Sequence, residues 1–125
     1  MADLNDLKLI NDNYGHTAGD EMLRYTAEIL KKSCRQEDII ARWGGDEFVI
    51  FLPQTDTKNT LSICERIVGN CKGVYIKNRE ITIAVGCSTK ESIEKNLEVV
   101  LREAEENMYR HKRFIKERNQ NREDI

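Results

Sequence analysis

Proline is nearly absent from this chain: Pro53 is the only one. Proline therefore breaks the chain at a single point, where an apolar run ends. No apolar stretch approaches the roughly 20 residues of a membrane span, and the first residues show no leader pattern. A span and a secretory signal are thus not expected within these residues. Charge of one sign is also lacking. The formal net charge is -2, which predicts no overall pull toward nucleic acid or an anionic membrane surface. A polyanionic ligand must then be held by local basic groups. Cys34, Cys64, Cys71 and Cys87 contain no CxxC pair and no zinc-ligand spacing, so buried thiols and a reducing, cytosolic compartment are expected. His16 stands alone in a loop, and no Ser or Cys shows the partners of a nucleophilic triad. Internal repeats and low-complexity linkers are absent as well.

What remains is a charged but globular balance, 39% apolar and 34% charged over 125 residues, enough for one domain with a real core. The stretch Arg42-Trp43-Gly44-Gly45-Asp46-Glu47-Phe48 stands out. Ile39-Ile40-Ala41 precedes it and Phe48-Val49-Ile50-Phe51-Leu52 follows it. Two such runs around a Gly-containing turn predict a β-hairpin, roughly 39–43 and 47–52. Gly44 and Gly45 are expected to take positive φ and to let a ligand approach the backbone. Asp46 and Glu47 place two carboxylates beside them, and a hairpin needs neither acid.

Along the rest of the chain, residues 1–4 read as the end of a strand. A short helix is expected from Asp6 to Asn13, closed near Gly15. A longer one opens at Thr17-Ala18-Gly19-Asp20 and runs to about Ser33, with a stripe of Leu23, Ala27, Leu30 and Cys34 edged by Met22 and Ile29. Thr55-Asp56-Thr57 offers caps for a third helix over about 57–70 that buries Leu61, Cys64, Ile67, Val68 and Cys71. Residues 74–76 and 81–86 suggest a second hairpin. A last helix starts near Ser92 or Ile93, with the stripe Ile93, Leu97, Val100, Leu101, Ala104, Met108 and His111. Glu117 to Asp124 is a polar tail expected to fray. The order predicts an α+β domain with helices on a mostly antiparallel sheet.

Several groups are able to do chemistry. Asp3 ends a strand, Asn11 lies on the short helix and Asp20 at the next helix start. A strand-end aspartate beside an acidic hairpin tip is a way to hold a hard divalent cation through oxygen, although a solvated Asp3 fits the sequence equally well. Lys112 and Lys116, four apart on one helix face, either grip a triphosphate or lie solvated. Arg35 and Asp38, three apart at a turn, either pair with each other or present a guanidinium and a carboxylate to a purine.

Taken together, these residues resemble a known family. Gly44-Gly45-Asp46-Glu47-Phe48 is the name motif of the GGDEF family of diguanylate cyclases. Asp3 to His16, followed by Gly19-Asp20, resembles that family's D-x-D/N-x-F/L-K-x-I-N-D-x-x-G-H-x-x-G-D block. Ala104 to Lys112 is similar to its A-D-x-A-M-Y-x-A-K helix. The three blocks fall in the family's order and cover residues 2 to about 116, with the domain expected over 1–118 and a polar tail over 119–125.

The resemblance implies a nucleotidyl-cyclase-like, ferredoxin-like palm: a central, mostly antiparallel sheet flanked by helices. It implies condensation of two GTP into cyclic di-GMP with release of pyrophosphate by a homodimer, each protomer holding one GTP. Magnesium or manganese would be carried by Asp3 and Asp46 with the Leu4 carbonyl, and Glu47 would assist metal binding or 3′-hydroxyl activation. Asn11 and Asp20 would read guanine, Gly44 and Gly45 would admit the nucleotide, and Lys112 and Lys116 would hold phosphates. Arg35 and Asp38 match the family's product-binding inhibitory site, and Arg66 aligns with a second arginine often used there. A sensory domain would precede this one in the parent protein, whose tethering to a membrane this domain leaves open. The alternative is a non-catalytic module that binds GTP or cyclic di-GMP. The chain departs from the pattern in three places. The D-x-L-T-x-L-x-N-R segment and most of the first strand are absent, which predicts unpaired ladder edges and weak or no turnover by this chain alone. Ile115-Lys116 replaces Gly-Arg, keeping a charge without the bidentate fork. No final strand is expected after it.

Overall fold

The computed structural model describes residues 1–123; Asp124 and Ile125, the end of the polar tail, lie outside the described residues. Ten elements alternate between layers. Strand β1 (Ala2–Leu4) leads into helices α1 (Leu7–Tyr14) and α2 (His16–Ser33). The hairpin β2 (Ile39–Arg42) and β3 (Glu47–Phe51) follows, then α3 (Thr57–Asn70). Strands β4 (Tyr75–Ile76), β5 (Arg79–Glu80) and β6 (Ile83–Val85) precede the long helix α4 (Leu97–Glu123).

The main sheet is antiparallel throughout, in the order β2-β3-β1-β6. Only three residues long, β1 is nevertheless its centre and is fully buried, pairing with β3 through Ala2↔Phe48 and Asp3↔Glu47 and with β6 through Ala2↔Val85 to Leu4↔Ile83. Beyond Phe48 the ladder of β3 is formed with β2 alone. There the sheet opens into a cavity of about 680 Å³, walled by Val49, Phe51, Ile63, Cys64, Cys87 and Leu101 among others. The side of β3 that has no ladder partner beyond Phe48 lines this cavity.

Helices α1 and α2 pack together, α2 packs on α3, and both α3 and α4 pack on β6. The core joins Leu4, Ile10, Met22, Leu30, Phe48, Ile63, Ile67, Ile81 and Ile83. Each such side chain contributes about 1.5–3 kcal/mol by leaving water. Gly15, at φ 88, breaks the chain between α1 and α2 while its N–H caps the Asn11 carbonyl at 2.8 Å. Asp56 caps α3 by accepting from the Asn59 N–H at 2.8 Å.

Four local expectations are corrected. The buried face of α2 holds Ala18, Met22, Thr26, Ile29, Leu30 and Ser33, whereas Ala27 is exposed. Thr26 and Ser33 can be buried because their hydroxyls donate to the Met22 and Ile29 carbonyls at 2.8 and 2.6 Å. On α3, Thr60, Ile63, Ile67 and Cys71 face inward while Leu61 is exposed. The second hairpin splits: β4 and β5 form a ribbon of their own, turning on Lys77 and Asn78 at φ 47 and 65, and β6 leaves to pair with β1. Finally, α4 starts at Leu97 rather than near Ile93, and it continues to Glu123 through most of the segment expected to fray.

A carboxylate cluster at the hairpin tip

The register that pairs Asp3 with Glu47 sends both side chains to the same face of the sheet. Asp46, one residue earlier at the tip, accepts the Leu4 N–H through its carbonyl at 2.8 Å. This locks the hairpin tip to the end of β1. As a result, oxygens of Asp3, Asp46 and Glu47 all lie within 4.8 Å of one another. Lys112, on the α4 turn packed over this face, donates from Nζ to Asp3 Oδ2 at 3.0 Å. The second oxygen, Asp3 Oδ1, is buried and has no hydrogen-bond partner.

The electrostatics follow from that crowding. Burial pushes the Asp3 carboxyl up, and the opposing pull of Lys112 does not offset burial plus the neighbouring Asp46. Burial also raises Glu47, with Asp3 and Asp46 adding to it. Burial pulls Lys112 down, but the hydrogen bond and charge of Asp3 push it up further. One lysine therefore leaves this site short of positive charge. A hard cation with oxygen ligands fits this donor set of three carboxylates, one of which, Asp3, keeps a buried oxygen without a partner.

Residues 1–120 match the family described as diguanylate cyclase, GGDEF domain. The chain belongs to that family. The uncharacterized protein YtrP of Bacillus subtilis is 38% identical over 118 residues, covering 94% of this chain and 20% of YtrP. Diguanylate cyclase DgcP of Pseudomonas aeruginosa is 37% identical over 123 residues, 94% of this chain and 18% of that protein. The chain thus spans about one fifth of the length of these relatives. Among solved structures, the active GGEEF domain of a diguanylate cyclase from Vibrio cholerae superimposes with a TM-score of 0.82 at 27% identity, covering 90% of this chain and 73% of that one. The α+β fold with a mostly antiparallel sheet is therefore that of GGDEF domains.

Within this GGDEF domain the remaining predicted residues occupy three places. Asn11 lies on α1 and Asp20 in the first turns of α2. Asn11 Oδ1 is buried without a partner, and it points so closely at Gly19 that a Cβ there would sit 1.7 Å away. Asp20 is exposed, as is Lys116, one turn beyond Lys112 on α4. Arg35 and Asp38 do pair: Asp38 accepts the Arg35 N–H at 2.7 Å and its Nη2 at 3.3 Å. Arg35 also donates to the Pro53 carbonyl at 3.3 Å and to Thr55 Oγ1. Arg66 reaches the same end of α2 and donates to the Ser33 carbonyl at 3.0 Å. No helix of the described residues is long and apolar enough to cross a membrane.

One expectation about the GGDEF tip is corrected. Neither Gly44 nor Gly45 has positive φ. Their contribution is space: a Cβ on Gly45 would meet nothing within 4 Å, and one on Gly44 only Glu47 at 3.8 Å. Sequence reasoning also missed Arg42, which donates to the Gly44 and Gly45 carbonyls at 3.1 and 2.8 Å and so braces the turn. The available signal was an arginine two residues before a glycine pair, within reach of the turn's carbonyls.

Proposed function

We propose that this domain condenses two GTP molecules into cyclic di-GMP, releasing two pyrophosphates, when two copies meet head to head with one GTP in each. The observation that carries the reading is the convergence of Asp3, Asp46 and Glu47 within 4.8 Å around a buried, unpartnered oxygen of Asp3. Asp3 and Asp46, with the Leu4 carbonyl, would hold magnesium or manganese. When bound, such an ion neutralises phosphate charge and lowers the cost of charge developing on the attacking and leaving oxygens.

The chain's own residues do the rest. Glu47, held above the usual carboxylate range chiefly by burial and then by Asp3, takes the proton of the 3′-hydroxyl as its oxygen attacks the α-phosphorus of the other GTP. The new O–P bond forms as the bond to pyrophosphate breaks, and the same exchange in the opposite sense closes the ring. Lys112 exchanges Asp3 for phosphate oxygens, with Lys116 one turn away on the same face. At the guanine edge Asn11 both accepts and donates through its amide, and Asp20 accepts. A carboxylate facing guanine's ring N–H and amine disfavours adenine, which leaves it unpaired. Arg35, Asp38 and Arg66, clustered at the far end of α2, bind the product and slow the enzyme. In the parent protein an N-terminal sensory domain sets the pairing of two copies.

Incubation with GTP and magnesium under conditions that promote dimerisation tests this. Cyclic di-GMP and pyrophosphate in a one-to-two ratio are expected from the full-length parent, with the product lost in Asp46→Asn. GTP binding without any cyclic dinucleotide would replace the reading by a nucleotide-binding module. Arg35→Ala should abolish inhibition by added cyclic di-GMP and leave turnover intact.

A further inference from the structure

The cavity in the main sheet is bounded by two backbone rims: β3 with the residues after it, and the chain that follows β6. The hydrogen bonds around it fix which way each rim faces. The Trp43 N–H donates to the Glu47 carbonyl at 2.8 Å, on the β2 side, and the Leu4 N–H donates to the Asp46 carbonyl at 2.8 Å, on the β1 side. In an antiparallel ladder this direction alternates from residue to residue. Val49 and Phe51 therefore bond toward Ala41 and Ile39 of β2, while the backbone groups of Ile50, and of Leu52 in the same phase, turn into the cavity. On the other rim Met1 and Gly86 exchange both bonds, at 2.7 and 3.0 Å. Val85, Cys87 and Thr89 face outward: the Val85 N–H donates to His111 Nδ1, and the Cys87 and Thr89 carbonyls accept from Asn107 Nδ2 and Lys95 Nζ at 3.0 and 3.1 Å. Ser88, in phase with Gly86, faces the cavity. The two rims thus present backbone groups in the alternation that a single strand between them uses, as Met1 and Ala2 already do against Gly86 and Phe48.

Both faces of this slot are apolar. Ala2, Leu4, Phe48 and Ile83 share one core with Ile63 and Ile67 of α3. The alternate residues of the same strands look toward α4: Lys112 reaches Asp3, and a Cβ on Gly86 would strike the backbone of Ala104 and Met108. Ile63 and Ile67 line the cavity on the α3 side, and Val100, Leu101 and Ala104 line it on the α4 side. A strand covered on both faces is an unbroken apolar run, not an alternating one.

We propose that the slot binds an extended apolar segment of a partner polypeptide, which joins the sheet between β3 and the chain after β6. The segment runs parallel to β1 and so antiparallel to both rims. Continuing the registers of β1 places its rungs opposite Ile50 and Cys87, then Phe51 and Ser88, then Leu52 and Thr89. Its backbone bonds in turn to Ile50, Ser88 and Leu52, which supplies affinity, and the apolar floor and roof select Val, Ile or Leu at every position. An apolar small molecule leaves the rim groups unpaired, at a cost that a strand avoids. A second copy of this chain has no strand to lend: among the described residues each strand is already paired along at least one edge, and the slot needs one that is free along both.

The probe is a capped, fluorescent peptide with about four consecutive Val and Ile residues between lysines, titrated against the 125-residue chain. Saturable one-to-one binding is expected. Amide exchange should slow at Ile50, Leu52 and Ser88 and change little at Phe51, which already bonds toward β2. N-methylation of any one central residue should weaken binding about tenfold or more, because each N–H meets a rim acceptor that is otherwise left buried and unpaired. Replacing alternate residues of the run by Ser should weaken it as well. Absence of saturable binding, sensitivity to N-methylation at alternate residues only, protection confined to one rim, or a dimer of the chain that excludes the peptide would each overturn the proposal. Every reading is made on the wild-type protein, so none depends on how a variant folds.

Discussion

Lys112 Nζ lies 3.0 Å from Asp3 Oδ2, joining the last long helix to the central three-residue strand. The pair is asymmetric: the Asp3 side chain is 4% exposed and that of Lys112 is 39% exposed. Removing the lysine leaves a buried carboxylate without its counter-charge, which costs more than losing a surface pair and less than breaking a fully enclosed one. Lys112→Met should therefore destabilise the metal-free chain by about 2 kcal/mol. Added magnesium should return more of that loss than it adds to the wild type, because the cation supplies the charge the lysine gave. Thermal unfolding of both proteins with and without magnesium chloride is the measurement. An equal magnesium response in the two would separate Lys112 from the metal site.

Gly19 and Asn11 are related by exclusion. A Cβ at position 19 would fall 1.7 Å from Asn11 Oδ1, so Gly19→Ala must swing the amide away or push α1 from α2. Overpacking of this kind costs about 1–3 kcal/mol. Because the far end of a flexible side chain gives way more easily than backbone, the lower half of that range is expected. The functional effect should be larger than the structural one: GTP affinity should drop and the preference for GTP over ATP should narrow. Titration calorimetry with both nucleotides reads it.

Much of this was legible beforehand because it depends on short-range rules. The hairpin around Gly44-Gly45 follows from two short apolar runs rich in β-branched and aromatic residues, and its two acids can only cluster with Asp3 if β1 lies beside β3. The residues that were misread depend on what packs around them. Thr26 and Ser33 look polar in sequence, yet their hydroxyls are satisfied within their own helix, so burial costs them little. The sequence carries the apolar stripe back to Ile93, yet Ile93 lies in the turn before α4 and is 96% exposed, and Leu97, the first residue of the helix, is 59% exposed beside the cavity in the sheet. The free space around Gly45 and the brace from Arg42 likewise follow from the assembled tip, not from any local pattern.

The backbone N–H of Val85 donates to Nδ1 of His111 at 2.9 Å, tying β6 to α4. An imidazolium cannot accept that bond, and burial holds His111 below its ordinary value of 6.5. A group whose pKa is depressed on folding contributes its stability above the unfolded value and loses it as the pH falls toward the folded one. Wild-type stability should accordingly decline below about pH 6.5. His111→Gln, which keeps an acceptor without titrating, should be less stable at pH 7.5 but should lose less between pH 7.5 and 5.5. Urea midpoints at the two pH values give the comparison, and parallel declines would remove His111 as the cause.

Gly86 and Gly45 make opposite predictions from the same substitution. At Gly86 a Cβ would stand 2.0 Å from the Met108 nitrogen and 2.4 Å from the Ala104 carbonyl oxygen, both backbone atoms that cannot rotate aside. Gly86→Ala must lift α4 off β6, at a cost of about 3 kcal/mol or more. Lys112, carried on that helix, must then part from Asp3. At Gly45 a Cβ meets nothing within 4 Å and φ is not positive, so Gly45→Ala should change stability by less than about 0.5 kcal/mol. If nucleotide lies against the tip, Gly45→Ala should still weaken GTP binding at least about tenfold, a change of roughly 1.4 kcal/mol. Full affinity in a fully stable Gly45→Ala protein would mean that the glycine pair serves the turn alone. Weakened affinity at unchanged stability assigns it to the ligand.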